Sequence, residues 1–321
     1  MSKRTKTNFG FGRQMAYATR QVLANYYGTG RYSTRRSHAE RLRPFVAFLL
    51  AIGVRDFREI GTKHVSAYAE HVAALCTNGS LSASTATNRI SSVNVLLAAL
   101  PAKSDLVLAA SGLLPPRKSV RTREPLGISP RVVGSAVTGL LDAGEVRLSI
   151  VVALARFCGA RFREASLMNL RDARRSVKRI SKLVVSHGSK GGRAQHIPRI
   201  IDADPMLVSV LFHDDVVALG DHVIPVDWDY ARWYRYAHRV WRKWAPKLGL
   251  STRIHDLRAA FACAKYESLT GLPAPCVGHL VLQENGERQA FSVSDEKARR
   301  VIAELLGHDR ISITDSYLGC E

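Results

Sequence analysis

Leu306-Gly307-His308-Asp309-Arg310-Ile311-Ser312-Ile313-Thr314-Asp315-Ser316-Tyr317 lies near the end of the 321-residue chain, and its reading decides the rest. It sets an imidazole nine positions ahead of a phenol, and no tyrosine between Tyr266 and Tyr317 competes for that place. A second Gly-His pair, Gly278-His279, has Arg288 nine positions on instead of a tyrosine. Working outward, His255-Asp256-Leu257-Arg258 lies upstream. Before it come Lys190, in the polar run Gly188-Ser189-Lys190-Gly191-Gly192, and the cluster Gly159-Ala160-Arg161-Phe162-Arg163-Glu164. Each cluster alone is a common accident in a basic protein; their company and order are not.

The chain is basic: 47 Lys and Arg against 27 Asp and Glu give a net charge of +20. Such an excess repels itself in a compact fold and implies a polyanionic partner. Nucleic acid is the first expectation. A membrane surface fits less well, because the cations are spread along the chain and not gathered on one amphipathic helix. With 46% hydrophobic and 23% charged residues the chain has the composition of a soluble protein with real cores. No apolar run approaches the ~18–20 residues that span a bilayer. No apolar segment follows the basic N-terminus, so no secretory signal is expected and the cytoplasm is the expected compartment. The five cysteines are scattered and form no C-x-x-C pair, which reads as reduced thiols, with no zinc site and no cofactor expected.

Residues 1–12 read as a flexible basic tail. From about Arg13 to Leu100 the pattern is helical: Met15, Ala18, Val22 and Tyr26, then Leu42, Phe45, Val46 and Leu49, recur at helical spacing. A third helix follows Thr62 and a fourth Ser82 or Ser84, with Ile90, Val93, Leu96 and Leu97 on one face. Residues 115–124, Pro-Pro-Arg-Lys-Ser-Val-Arg-Thr-Arg-Glu, read as a basic linker. Ser129-Pro130 predicts a capped helix start. Leu183-Val184-Val185-Ser186, the glycine-rich turn and Arg193-Ala194-Gln195-His196-Ile197-Pro198 predict a β-hairpin. Trp233, Ala237, Val240, Trp241 and Trp244 fall on one helical stripe and predict core. The domain expectation is thus a helical unit over 1–114, a linker over 115–124 and a second unit over 125–321.

Taken together the clusters resemble the tyrosine recombinases, the family of phage-type integrases and Xer-like site-specific recombinases. Gly159, Arg161 and Glu164 match a G-x-R-x-x-E box. Lys190 sits where the family carries its hairpin lysine, with Pro198 beyond. Residues 255–258 match H-x-L-R letter for letter. Leu306, Gly307, His308, Ile311, Thr314 and Tyr317 match L-G-H-x-x-I-x-x-T-x-x-Y. The resemblance covers most of 125–321, and reaches the first region more loosely through Ser84-Thr85-Ala86-Thr87-Asn88-Arg89-Ile90. It implies a mainly α protein, with a helical N-terminal core-binding (SAM-like) domain and an α+β catalytic domain holding a small antiparallel sheet.

The resemblance implies roles that the chemistry makes intelligible. Cleaving a phosphodiester without metal needs a nucleophile, charge on the non-bridging oxygens and a proton for the leaving 5′ oxygen. Tyr317 is the expected nucleophile, keeping the bond as a 3′-phosphotyrosyl link. Arg161 and Arg258 are the expected phosphate clamp, since guanidinium is always charged and presents a planar fork; Arg163 is the nearest competitor of Arg161. His308 adds a hydrogen bond, and His255 is the expected proton acceptor. Lys190, preferred over Lys182 because it lies in the turn, is the expected general acid. Glu164 orients Arg161. Arg35, Arg36, Arg41, Arg89, Arg117, Lys118, Arg121 and Arg123 are the DNA-contact candidates.

The implied function is site-specific cleavage and rejoining of DNA for integration or excision of a mobile element. The expected partners are double-stranded recombination sites and a homo-tetramer on two paired sites, with an accessory directionality factor as a further one. The implied setting is a bacterial or phage protein associated with the nucleoid. Two rivals share the fold: a type IB topoisomerase-like enzyme and a catalytically idle DNA-binding protein. One departure from the family is the 50-position step from Arg258 to His308, about twice the usual length, which marks 272–297 as an insertion, a loop or an added strand pair.

Overall fold

The computed structural model describes residues 7–108, 112–116, 119–186, 188, 198–278 and 288–320, the side chains of 288–294 aside. Arg117, Lys118 and Lys190 lie outside the described residues. The chain forms two compact units, Met1–Lys118 and Ser119–Glu321.

The first unit holds α1 (Met15–Tyr27), α2 (Tyr32–Ala51), α3 (Thr62–Thr77) and α4 (Ala83–Ala99). Their apolar stripes meet in one core, with Val22, Phe45, Leu49, Tyr68, Val72, Ile90 and Leu97 all buried. Burying each such side chain contributes about 1.5–3 kcal/mol, which outweighs local flaws such as Pro44 inside α2. Ser82 caps α4, its hydroxyl accepting the Thr85 N–H at 3.3 Å. Of the expected tail over 1–12, Thr7–Gly10 form a helical turn, and residues 1–6 lie outside the described residues. Asn8 is buried: its N–H donates to Asp56 at 2.9 Å and its side-chain oxygen accepts the Phe57 N–H at 2.8 Å. A polar anchor of this kind leaves no trace in hydrophobic periodicity.

The second unit runs α5 (Pro130–Asp142), α6 (Val146–Phe157), α7 (Phe162–Ser166), α8 (Leu170–Ile180), β1 (Lys182–Val185), β2 (Arg199–Asp202), α9 (Pro205–Leu211), α10 (Asp214–Ala218), α11 (Tyr230–Trp244), α12 (His255–Thr270), α13 (Pro275–Gly278), α14 (Arg288–Leu305) and α15 (Asp315–Leu318). Ser129 caps α5 with Pro130 in its first turn. The central element is α6. Every residue from Leu148 to Phe157 is buried, and α5, α7, α9, α10 and α12 pack around it. The aromatic stripe of α11 is core, with Trp233 and Trp241 buried and their indole N–H groups donating to Ser166 and Ser251 at 2.9 Å each.

The strands pair antiparallel, Lys182 opposite Asp202 and Val185 opposite Arg199. The described second strand thus begins at Arg199, beyond the predicted Arg193–Pro198. Pro198 has no N–H to give a ladder, so regular pairing starts one residue later; residues 191–197 lie outside the described set. Within 272–297 the described elements are helical, α13 and the start of α14, with no strand among the described residues.

Candidate active site

The site is assembled where α6 ends. Gly159 has a φ of +60°, and a Cβ there would overlap the Phe261 ring and lie 3.1 Å from Leu306. Only glycine lets the chain leave α6 this close to α12. The turn delivers Arg161 to the start of α7. Glu164, one turn on, reaches back to accept the Arg161 backbone N–H at 2.7 Å and its guanidinium Nη1 at 2.6 Å. The G-x-R-x-x-E spacing is therefore a folding device as much as a chemical one.

One helical turn separates His255 and Arg258 on α12. Arg258 is fully buried. It donates to the Gly159 carbonyl, to the Leu306 carbonyl at 2.6 Å and, through Nε, to Tyr317 Oη at 3.3 Å. Desolvation pulls its pKa down to about 10, which leaves it a cation at neutral pH.

Glu164 compensates this buried charge. It is 1% exposed, pairs with Arg199 and Arg161, and lies 3.6 Å from Arg258 Nη1. Burial pushes its pKa up, but Arg199, the Arg161 N–H, Arg258 and Arg161 together outweigh that and hold the carboxyl below its ordinary value. Three guanidinium groups face one carboxylate, so the cradle keeps an excess of positive charge suited to a phosphodiester.

His308 enters over Gly307, whose φ is +66° and where a Cβ would come 2.9 Å from Arg199 Cδ. Its Nε2 lies 3.1 Å from Arg161 Nη2, 3.3 Å from Arg258 Nη2 and 3.3 Å from Tyr317 Oη. Guanidinium cannot accept a hydrogen bond, so Nε2 is the acceptor and the ring proton is assigned to Nδ1. Three donors thus converge on a single lone pair. Desolvation, then the Arg161, Arg258 and Arg199 charges, lower the His308 pKa to about 4. His255 is lowered to about 4 by desolvation and then by Arg258, Arg161 and Arg121. The His255 residue is exposed to solvent. Both imidazoles are neutral at pH 7. The His255 and Tyr317 ring centroids are 5.6 Å apart.

Tyr317 is 4% exposed, and its segment is latched in place. Arg299 of α14 is buried between two carboxylates. It bonds Asp295 at 2.7 Å, Thr314 at 3.2 Å, Asp315 at 3.0 Å and the Gly319 carbonyl at 3.0 Å. From the other side the Arg121 N–H donates to the Asp315 carbonyl at 2.8 Å. The thiols of Cys263 and Cys276 stand 3.6 Å from the Tyr317 carbonyl.

No family model matches the sequence, and no curated protein matches it. Solved structures do match the fold. The XerH site-specific recombinase bound to a palindromic difH substrate, a post-cleavage complex, aligns with a TM-score of 0.59 and 12% identity over 95% of this chain and 81% of that one. The Tn1549 transposon integrase with circular intermediate DNA aligns with a TM-score of 0.54 and 14% identity over 94% and 96%. The fold is that of the tyrosine recombinases.

In this tyrosine-recombinase fold, Arg161, Glu164, His255, Arg258, His308 and Tyr317 come together from α7, α12 and the segment after α14. Lys190, Arg117 and Lys118 fall outside the described residues. Arg35, Arg36 and Arg41 lie on α2, and Arg89 on α4. Arg35 and Arg36 line a hollow of about 620 Å³ between α1 and α2. The Arg121 guanidinium is engaged by Asp256, which also accepts the Leu126 N–H at 2.8 Å; Arg123 is exposed. Sequence reasoning missed Arg199 and Arg299. For Arg199 a signal existed: in Arg199-Ile200-Ile201-Asp202 the strand alternation puts it on the buried face with Ile201. No helix among the described residues is long and apolar enough to cross a membrane.

Proposed function

We propose that the chain is a site-specific DNA recombinase of the integrase type, which cleaves a strand and rejoins it through a 3′-phosphotyrosyl intermediate. One observation carries the reading. Arg161, Arg258 and Tyr317 all direct hydrogens at the one lone pair of His308 Nε2, more donors than that atom satisfies. A phosphate brings several lone pairs to the same donors.

In the proposed reaction the phosphate draws the Arg161 and Arg258 donors off His308, whose ring proton then moves from Nδ1 to Nε2 and gives the third hydrogen bond to the phosphate. Tyr317 Oη attacks phosphorus in line, and its proton passes to His255, which is neutral and able to receive it. The P–O5′ bond breaks, and Lys190 protonates the leaving 5′ oxygen. Attack by a free 5′-hydroxyl on the phosphotyrosine reverses the steps, so no external energy source is needed. Stabilisation of the oxyanion by a positioned donor is worth about 10²–10³ in rate, and proton transfer about 10²–10⁴.

On the same reading the first unit grips the duplex through Arg35, Arg36, Arg41 and Arg89, and four copies act on two paired sites in the cytoplasm of a bacterial or phage-infected cell. The test is a pool of nicked duplexes whose cleaved end diffuses away and traps the intermediate. Wild-type protein is expected to form an adduct that resists denaturation and persists in EDTA. Wild-type protein that binds the pool and forms no adduct would remove the reading.

A further inference from the structure

A strongly charged surface outside the catalytic cluster lies on α8. Arg171, Arg174, Arg175, Lys178 and Arg179 recur at i, i+3, i+4, i+7 and i+8, which is one face of a helix. The opposite edge, Leu170, Ala173 and Val177, is buried in the core, so the basic face is fixed outward. The stripe borders an open hollow of about 510 Å³ closed on its far side by Phe212 and Val217. None of these residues belongs to the catalytic cluster.

This arrangement is costly for the fold, because like charges at i,i+4 destabilise a helix. Only part of the charge is compensated. Arg171 meets Asp221 at 3.1 Å and Arg175 meets Asp172 at 3.3 Å. Arg174, Lys178 and Arg179 have no carboxylate partner among the described residues. Arg174 donates through Nη2 to the Gly220 carbonyl at 3.2 Å, while its Nη1 is buried without a hydrogen-bond acceptor. Lys178 Nζ stands 5.2 Å from the Phe212 ring centroid, which holds its stem toward the hollow. Lys178 and Arg179, exposed beside it, are the cations open to an anion's oxygens.

We propose that the α8 face is a second phosphate-backbone site, separate from the catalytic cradle, that takes a stretch of duplex DNA outside the segment being cleaved. From Arg171 to Arg179 the helix rises about 12 Å, and that length of duplex carries about seven phosphate charges. A continuous polyanion therefore matches the stripe along its whole length, as a single anion does not. The choice of DNA over an acidic protein surface rests on the reading of the chain as a DNA enzyme, but the contact is independent of cleavage.

The test is the salt dependence of equilibrium binding to a long mixed-sequence duplex, read as the slope of log K against log salt. Each phosphate contact contributes about 0.9 to that slope. The full chain carrying Arg174→Gln, Lys178→Gln and Arg179→Gln is expected to bind with a slope shallower by about 2–3. A charge-matched control, Lys265→Gln, Lys297→Gln and Arg300→Gln, is expected to change it by clearly less. Because Arg174 is partly buried, the pair Lys178→Gln and Arg179→Gln, both exposed, is measured alongside, with an expected drop of about 1–2. A slope equal to that of wild type or of the control overturns the proposal, and so does an α8 variant that loses only binding to an acidic protein. Tyr317→Phe protein is expected to give the wild-type slope, so failure of the cleavage chemistry leaves this measurement standing.

Discussion

Arg258 Nε lies 3.3 Å from Tyr317 Oη, and the guanidinium carbon stands 5.5 Å from the centre of the same ring. One buried cation therefore fixes both the oxygen and the ring of the phenol, while its two remaining nitrogens hold the carbonyls of Gly159 and Leu306. The group that would bind phosphate is also the one that joins α6, α12 and the tyrosine segment.

That double duty separates the two arginines. Arg258→Ala leaves the buried carbonyls of Gly159 and Leu306 without this donor, at about 1–3 kcal/mol each, so a loss of about 2–6 kcal/mol is expected. The Arg161 side chain is 22% exposed, and Arg161→Ala is expected to cost about 1–3 kcal/mol. Both variants are expected to abolish adduct formation. Urea unfolding beside the adduct assay checks the pair; equal stability losses would contradict the geometry.

Arg299 makes a different prediction, because it touches the tyrosine segment and not the phosphate cradle. Arg299→Ala is expected to lower adduct formation about 10²-fold through misplacement of the nucleophile, with partial recovery in Arg299→Lys. The discriminating readout removes the tyrosine. In a Tyr317→Phe background, peroxide anion supplied in solution attacks the same phosphorus and the 5′ oxygen leaves. Peroxide-supported cleavage is expected to be unchanged by Arg299→Ala. Its loss would mean that Arg299 sustains the whole unit.

The histidines set the pH dependence. His255 and His308 have folded pKa values near 4, below the ordinary 6.5. A base that must be neutral is then ready across the neutral range, so the second-order rate of adduct formation is expected to stay level down to about pH 5 and fall below it. A limb centred near 6.5 would contradict the placement. Between about 4 and 6.5 the unfolded chain binds more protons than the folded one, so stability rises with pH through that window and is lost as pH falls. The urea midpoint is expected to be lower at pH 4.5 than at pH 7.

Lys190 is tested through its leaving group. Lys190→Ala is expected to slow cleavage by about 10²–10⁴ on an ordinary phosphodiester. A substrate with sulfur at the 5′ bridging position needs no proton to leave and is expected to restore the rate. No rescue would remove Lys190 from the general-acid role.

The residues legible in the sequence are those whose spacing is local. Arg161 and Glu164 share one helical turn, as do His255 and Arg258, so each pair can be read without knowing the fold. Their meeting is not local: Arg161 touches His308 across 147 positions, and only the resemblance of the ordered clusters to a family foretold it. Arg299 stayed hidden because a single arginine in a basic chain carries no pattern, and Arg199 because its alternation with Ile201 shows only once the strand is placed at Arg199–Asp202. Asn8 stayed hidden because its anchor is a pair of hydrogen bonds and not an apolar stripe. Of the predicted strand over Arg193–Pro198, residues 193–197 lie outside the described residues, and the described ladder runs over Arg199–Asp202, just past Pro198, which has no N–H to give it.

The central claim is that the phenol of Tyr317 forms a bond to the 3′ side of a cleaved strand. The most direct measurement is proteolysis of the trapped adduct followed by mass spectrometry of the nucleotide-bearing peptide, with end-labelling of the released strand. The expected result is nucleotide mass on the peptide containing Tyr317, a free 5′-hydroxyl on the released strand, and no adduct from Tyr317→Phe protein that still binds the duplex. Nucleotide mass on any other residue, or a 5′-linked adduct, would contradict the account.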